Sequence, residues 1–465
     1  MTLLRQLVRA WRRQGACTLP TAVAWVARMH MLDALGVGLA ASTLQAGAAW
    51  PRYAATLPPG PATLLGGTAG APAADAALVN GGLMHSLEYD DTHTGSIVHG
   101  SAVLAAAALA AGEHNASSGS AMLCAYVLGW EVLIRLGLAA PGAFQARSFQ
   151  ITSVAGAPVA ALIAAALTGL DEDASVNAAG IALSQSSGVF EFLSNGSSVK
   201  SLHPGWAAHA GLDAAALAKA GLTGPETAIE GPHGLFRAFA GDGGAAARFA
   251  VLLENLGTRW HLPDAAFKLL PCCHYLHPFV EAAGQLAMPA DAIESILLRG
   301  PAGAAPIICE PWAAKQTPPT PHAARWSLPV VVAARLAEGQ VDLDTFERSL
   351  NPATLALAAR IRWEPLPADH FPDRFEAELL LRSRDGAEHR VFVADAYGNR
   401  SRPAGEADIR AKARGNAGRV LRRVARLEQQ IDSLDTAANL AGLTAALRDT
   451  TAAGAGGAAV TEMLT

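Results

Sequence analysis

Lysine is almost absent from this 465-residue chain: only Lys200, Lys219, Lys268, Lys315 and Lys412 occur, so any lysine inside a motif draws notice. Arginine supplies most of the positive charge, the net charge is -5, and basic residues adjoin only at Arg12-Arg13 and Arg422-Arg423. Without a basic stripe to follow a phosphate backbone, no nucleic-acid partner is expected. Cysteine is scarce and odd in number (Cys17, Cys124, Cys272, Cys273, Cys309), with neither paired-zinc spacing nor a disulfide framework. That usage fits a reducing cytoplasm.

Long apolar runs are also missing where targeting would need them. Met1 to Arg13 is amphipathic and lacks the apolar core of about 7 to 15 residues of a secretory signal, so it reads as a first helix. The most membrane-like stretch, Thr152 to Leu170, is uncharged but built largely of Ala, with Gly and Ser among it, and contains Pro158. It reads as a buried helix of a soluble protein, with no membrane partner. Gly66 to Gly70 is glycine-rich, but no Lys-Ser or Lys-Thr follows it and no dinucleotide fingerprint occurs, so nucleotide binding is not supported.

What remains is long enough to bury a large core and, at this length, to form two domains. From Thr21 to about Thr258 alanine-rich apolar segments are cut by glycine, as in Ser101 to Gly112, Ala121 to Gly137, Val176 to Gly188 and Pro204 to Gly221. These predict helices packed closely through small residues, and an all-α first part. After Lys268 the texture changes. Ser295 to Arg299 and Arg360 to Trp363 predict short strands, Ala323 to Glu338 a helix, and Phe375 to Arg384 a hairpin with His389 to Ala394 through Asp385-Gly386. The helical pattern returns from Glu406 to Leu447, and the tail from Thr450 to Gly457 predicts disorder.

Three polar clusters interrupt this apolar background. The first runs from His85 through Glu88, Asp90, Asp91, Thr92 and His93 to His99. A helix over 79–92 would place His85, Glu88 and Thr92 on one face, an imidazole, an acid and a hydroxyl together. Confined in a cleft, such groups can be tuned to remove a proton from carbon. A helix-end capping and ion-pair cluster is the plainer alternative, and a metal site is a third that no ligand spacing supports. The second cluster, Ser197 to His209, combines Lys200 and His203 with a helix start, able to hold a carboxylate or simply to act as a solvated cap. The third, Lys268 to Pro278, contains Cys272, Cys273, His274 and His277. Adjacent cysteines rarely share one tetrahedral zinc, and no local signature marks a nucleophilic cysteine.

In this order and at these separations the clusters resemble the MmgE/PrpD family, which includes 2-methylcitrate dehydratase, cis-aconitate decarboxylase and iminodisuccinate epimerase. The anchors are Val79-Asn80-Gly81 with His85 to Thr92, Gly180 to Gly188, Lys200 to Gly211, and Lys268 to Pro278. The resemblance implies a mainly α fold. A large all-helical domain would form from both chain ends (1–266 and 403–465), with an inserted α+β lid domain at 267–402. It further implies a homodimer, a small polycarboxylate substrate, and catalysis with no metal and no cofactor.

Carried over by position, the catalytic residues fall on Glu88, Thr92, His99, Lys200 and Lys268. Substrate-binding positions fall on Gln150, His203, Cys273 and His277. His99 and Glu88 would shuttle the proton while the lysines hold carboxylates and stabilise carbanion-like charge. The chain departs from the family at three places. Gln150 stands where the family has an active-site histidine, Val330 where it has a tyrosine, and Gly100 where a proline follows the motif histidine. Glutamine can hydrogen-bond but cannot exchange a proton near neutral pH. The expected activity is a hydro-lyase acting beside a carboxylate. Decarboxylation, epimerisation and a catalytically silent binding homologue are the alternatives.

Overall fold

The computed structural model describes residues 1–15 and 18–451, and these form a mainly α protein of two compact units. The first comprises Met1–Ser86, Asp90–Ala265 and Glu406–Thr465, so both ends of the chain build it; the second comprises Leu87–Tyr89 and Ala266–Gly405.

The first unit is helical because its alanine-rich segments favour helix and its glycines remove the side chains that would keep helices apart. Helices Ala73–His85 and Leu202–Lys219 cross at Gly81 and Gly205, where a Cβ on Gly81 would lie 2.8 Å from the Gly205 Cα. Gly211 lies as close to the helix Gly156–Thr168, its Cβ position 2.5 Å from that of Ala160. From the C-terminal part of the chain, helix Glu406–Ala417 packs on Thr21–Ala41, with Ala413 Cα 3.3 Å from the Cβ position of Gly36. There Lys412 Nζ meets Asp33 Oδ1 at 2.8 Å, a buried ion pair. Thr21–Ala41, Gly119–Ala139 and Ile151–Thr168 are long and apolar enough to cross a membrane by length and composition, but 78, 89 and 83% of them is buried inside the protein.

The second unit is α+β. Four strands are ordered Ile361–Pro365, Ile293–Gly300, Ala377–Ser383, Glu388–Val393; the first pairing is parallel and the others antiparallel. Ile296, Leu298, Leu379 and Leu381 point into its core, the period-2 pattern of a sheet with one packed face. The Asp385-Gly386 turn closes the expected hairpin, with Gly386 at φ 90.

Four expectations need correction. The helix proposed over 79–92 ends at His85, because Glu88 adopts a left-handed φ of 52 and Leu87–Tyr89 belong to the second unit. Helix Val176 to Gly188 is Glu172–Ser184, giving way before Gly188 at φ 118. Ala323 to Glu338 is two helices, Pro321–Ala324 and Leu328–Glu338, the latter capped by the Ser327 side chain. The first part is not wholly α, since Ala62–Thr63 pairs with Gly70–Ala71. Of the tail, Thr450 and Thr451 pair with the Val420–Arg422 segment, and its remainder lies outside the described residues.

Candidate functional site

In the helical unit, the end of helix Ala73–His85, the loop 90–99 and the loop 148–150 place their polar side chains together. His85 Nδ1 and Asp90 Oδ2 are 2.7 Å apart, both fully buried. A carboxylate only accepts, so Nδ1 of His85 carries the proton. Asp91, next in sequence, faces elsewhere: it accepts from His30 Nδ1 at 2.8 Å and from the Ser101 hydroxyl, which itself accepts from Tyr126 at 2.6 Å. Burial and the Asp91 charge hold the Tyr126 phenol protonated, well above its usual range.

His99 sits just ahead of helix Gly100–His114, and its Nδ1 is 3.0 Å from both the Asp91 carbonyl and the Thr92 hydroxyl. A carbonyl cannot donate, so Nδ1 bears hydrogen. Its backbone N–H donates to Thr152 Oγ1 at 3.0 Å. Gly100 is explained by what lies above it: a Cβ there would be 2.5 Å from the Trp130 ring.

Gln150 is held by its own backbone, with N donating to Gly188 O at 2.9 Å. Its amide bridges two histidines: Nε2 lies 3.3 Å from His85 Nε2, and Oε1 lies 2.5 Å from His203 Nδ1. Burial, then the nearby His85 and Lys200, push the His203 imidazole down to about 4, so it is neutral at physiological pH. Lys200 lies in the single turn Ser198–Ser201 immediately before the His203 helix.

The second unit holds a different cluster. Lys268 is 1% exposed, with Nζ 3.8 Å from Glu88 Oε2 and 3.4 Å from Glu88 O. Arg325, fully buried, donates from Nη1 to the Leu87 and Pro271 carbonyls at 2.8 Å each and lies 3.5 Å from Glu347. Burial lowers its pKa to about 10, opposed by Glu347 and Glu88. Burial pushes the Cys272 thiol upward, against Lys268 and Arg325, so it is no thiolate nucleophile at neutral pH. Cys273 is buried and donates its N–H to Arg325 O. His277 lines a cavity of about 550 Å³ with Glu281, Arg335, Tyr397 and Arg402. Val330 is a core residue of helix Leu328–Glu338.

Of the residues expected from sequence, Thr92, His99, Gln150, Lys200 and His203 thus lie in the helical unit, and Glu88, Lys268, Cys273 and His277 in the second. The expected common face of His85, Glu88 and Thr92 does not form. Sequence reading missed His30 and Arg325. His30 left a signal, since it lies three residues from Asp33 inside a largely apolar helix, where buried polar groups need partners. Arg325 left none. Ligand atoms of His85, Asp90 and His99 lie within 4.8 Å of one another, a spacing a cation could use, but the His85–Asp90 hydrogen bond accounts for the contact without one.

Such a protein, a helical unit around a buried imidazole–carboxylate–amide network with an α+β unit inserted in its sequence, has a known kin. The chain belongs to the MmgE/PrpD family, whose N-terminal domain matches residues 7–247 and whose C-terminal domain matches residues 270–436. It is 28% identical over 455 residues to a cis-aconitate decarboxylase-like protein, oryM, of Aspergillus oryzae, covering 92% of this chain and 93% of that one. It is 29% identical over 367 residues to the cis-aconitate decarboxylase of Homo sapiens (74% and 73%), and 30% identical over 239 residues to that of Aspergillus terreus (49% and 48%).

Proposed function

We propose that this chain is a lyase that removes a proton beside a carboxylate of a small di- or tricarboxylic acid, with loss of hydroxide as the leading outcome. The observation that carries the reading is His99, a mostly buried imidazole whose Nδ1 is 3.0 Å from both the Asp91 carbonyl and the Thr92 hydroxyl and 3.7 Å from the buried Asp90 carboxylate, an imidazole and an acid held together as proton transfer requires. Lys200 is the proposed carboxylate-holding cation of the helical unit. Lys268, beside Glu88, is the corresponding cation of the second unit. A homodimer in the cytoplasm accompanies the reading and rests on the family membership and on cysteine usage.

Decarboxylation is the second reading, favoured by the names of the relatives. Proton NMR in deuterium oxide with 2-methylcitrate, citrate, cis-aconitate and malate separates the two. Vinyl resonances with water loss support the hydro-lyase, released carbon dioxide supports the decarboxylase, and exchange of a carbon-bound proton alone supports an epimerase. Unchanged turnover in His99→Asn would remove His99 from the mechanism.

A further inference from the structure

The cavity of about 550 Å³ that His277 lines belongs wholly to the second unit, and it shares no residue with the His85–Gln150–His203 network. Its wall has two characters. Leu269, Leu270 and Val280 supply apolar surface. Two arginines supply charge, and they are not equivalent. Arg402 is already engaged: it forks onto Glu281, with Nη1 3.0 Å from Oε2 and Nη2 2.9 Å from Oε1, and gives a further N–H to the Asp395 carbonyl at 2.6 Å. Glu281 is the one carboxylate among the lining residues, so the wall holds no second acid for Arg335. The Arg335 guanidinium nevertheless has a built seat. It rests on Gly284, the last residue of helix His277–Gly284, where a Cβ would come 2.8 Å from Nη2 and 2.9 Å from Nε. Any side chain at that position would displace the fork.

We propose that this cavity is a second ligand site, one that takes a monocarboxylic acid with an apolar body: Arg335 receives the carboxylate, and Leu269, Leu270 and Val280 cover the hydrocarbon. The inference goes beyond the lyase reading and does not rest on it. Charge sets the number of carboxylates. Apart from His277, whose ring packs edge-on against His274 with centroids 4.8 Å apart, the wall carries a neutral Arg402–Glu281 pair and one further guanidinium. One guanidinium fork matches one carboxylate. A second carboxylate on the ligand would have no cation of its own and would meet Glu281 as a like charge. That separates this ligand from the di- and tricarboxylic acids of the reaction. The apolar wall gives the other preference its sign, because a hydrocarbon chain laid on leucine and valine leaves water, whereas a bare inorganic anion buries nothing. The volume falls within the range of small-molecule clefts, about 300 to 1,000 Å³.

The test titrates the intact protein with hexanoate labelled with 13C at its carboxyl, followed by carbon NMR. Three competitors take the ligand apart: hexan-1-ol lacks the charge, adipate carries a second carboxylate at the far end, and inorganic phosphate lacks the hydrocarbon. Each should displace labelled hexanoate about tenfold more weakly than unlabelled hexanoate does. Arg335→Met keeps an apolar stem and removes the charge, and hexanoate affinity should fall by about tenfold or more, as loss of a charge-assisted hydrogen bond allows. Gly284→Ala keeps the charge and unseats it. The atoms its methyl meets are the far end of a flexible side chain, so the fold is retained while affinity falls several-fold. His99→Asn, in the helical unit, should leave hexanoate binding unchanged. Absence of hexanoate binding overturns the proposal, as does full affinity in Arg335→Met or in Gly284→Ala. Equal competition by adipate or by phosphate overturns the assigned ligand class. Loss of binding in His99→Asn would place hexanoate at the other cluster and overturn the site.

Discussion

The two clusters described above, one in each unit, hold their buried polar groups in opposite ways. In the helical unit, close-packed Ala and Gly helices bring polar side chains against one another, so His30, Asp91, Ser101 and Tyr126, or Asp90, His85, Gln150 and His203, satisfy each other in chains. Each ring or hydroxyl has one proton to place, and a chain of such groups has a direction. In the second unit one guanidinium, Arg325, gathers backbone carbonyls of Leu87 and Pro271 and the Glu347 carboxylate. The first arrangement suits proton placement, while the second fixes positions with a charge that does not move.

The largest effect expected from breaking this contrast is at a buried ion pair of the helical unit, Lys412 with Asp33. Lys412→Met leaves Asp33 without its cation, and burial already raises Asp33 to about 6. A loss of about 3–5 kcal/mol in urea unfolding is expected, largely recovered in Lys412→Met with Asp33→Leu. Failure of the double variant to recover would show that the pair has a part besides neutralising charge.

Next comes pH. His203 is held at about 4 in the folded chain against 6.5 when unfolded, so the unfolded state binds more protons between those values. Stability is unaffected above pH 6.5 and falls as pH drops toward 4, by about 3 kcal/mol from this group. The slope should flatten in His203→Gln, measured by denaturant unfolding at several pH values. Gly100→Ala sets a methyl against Trp130 and is expected to destabilise by about 1–3 kcal/mol, read as a fall in melting temperature. The smallest effect belongs to the second unit: Ser327→Ala removes the cap on Val330 N and should cost about 1 kcal/mol in the same assay.

The helices at 100–114, 119–139 and 202–219, the hairpin at Asp385-Gly386 and the family itself were legible, because composition, periodicity and turn chemistry are local properties. The polar clusters were legible as clusters. Their internal arrangement was not: Glu88 turns away through a left-handed backbone, so three residues expected on one helix face separate. Gln150 could be read only as a missing histidine, whereas the structure gives it partners on both sides.

The sequence by itself determined which chemistry is available: imidazoles, carboxylates, an amide and a few lysines in an apolar helical scaffold. Only the tertiary structure decided which nitrogen of each ring carries the proton. That depends on what lies within hydrogen-bond reach at separations of five, eight or fifty-three residues, and no local pattern encodes such distances.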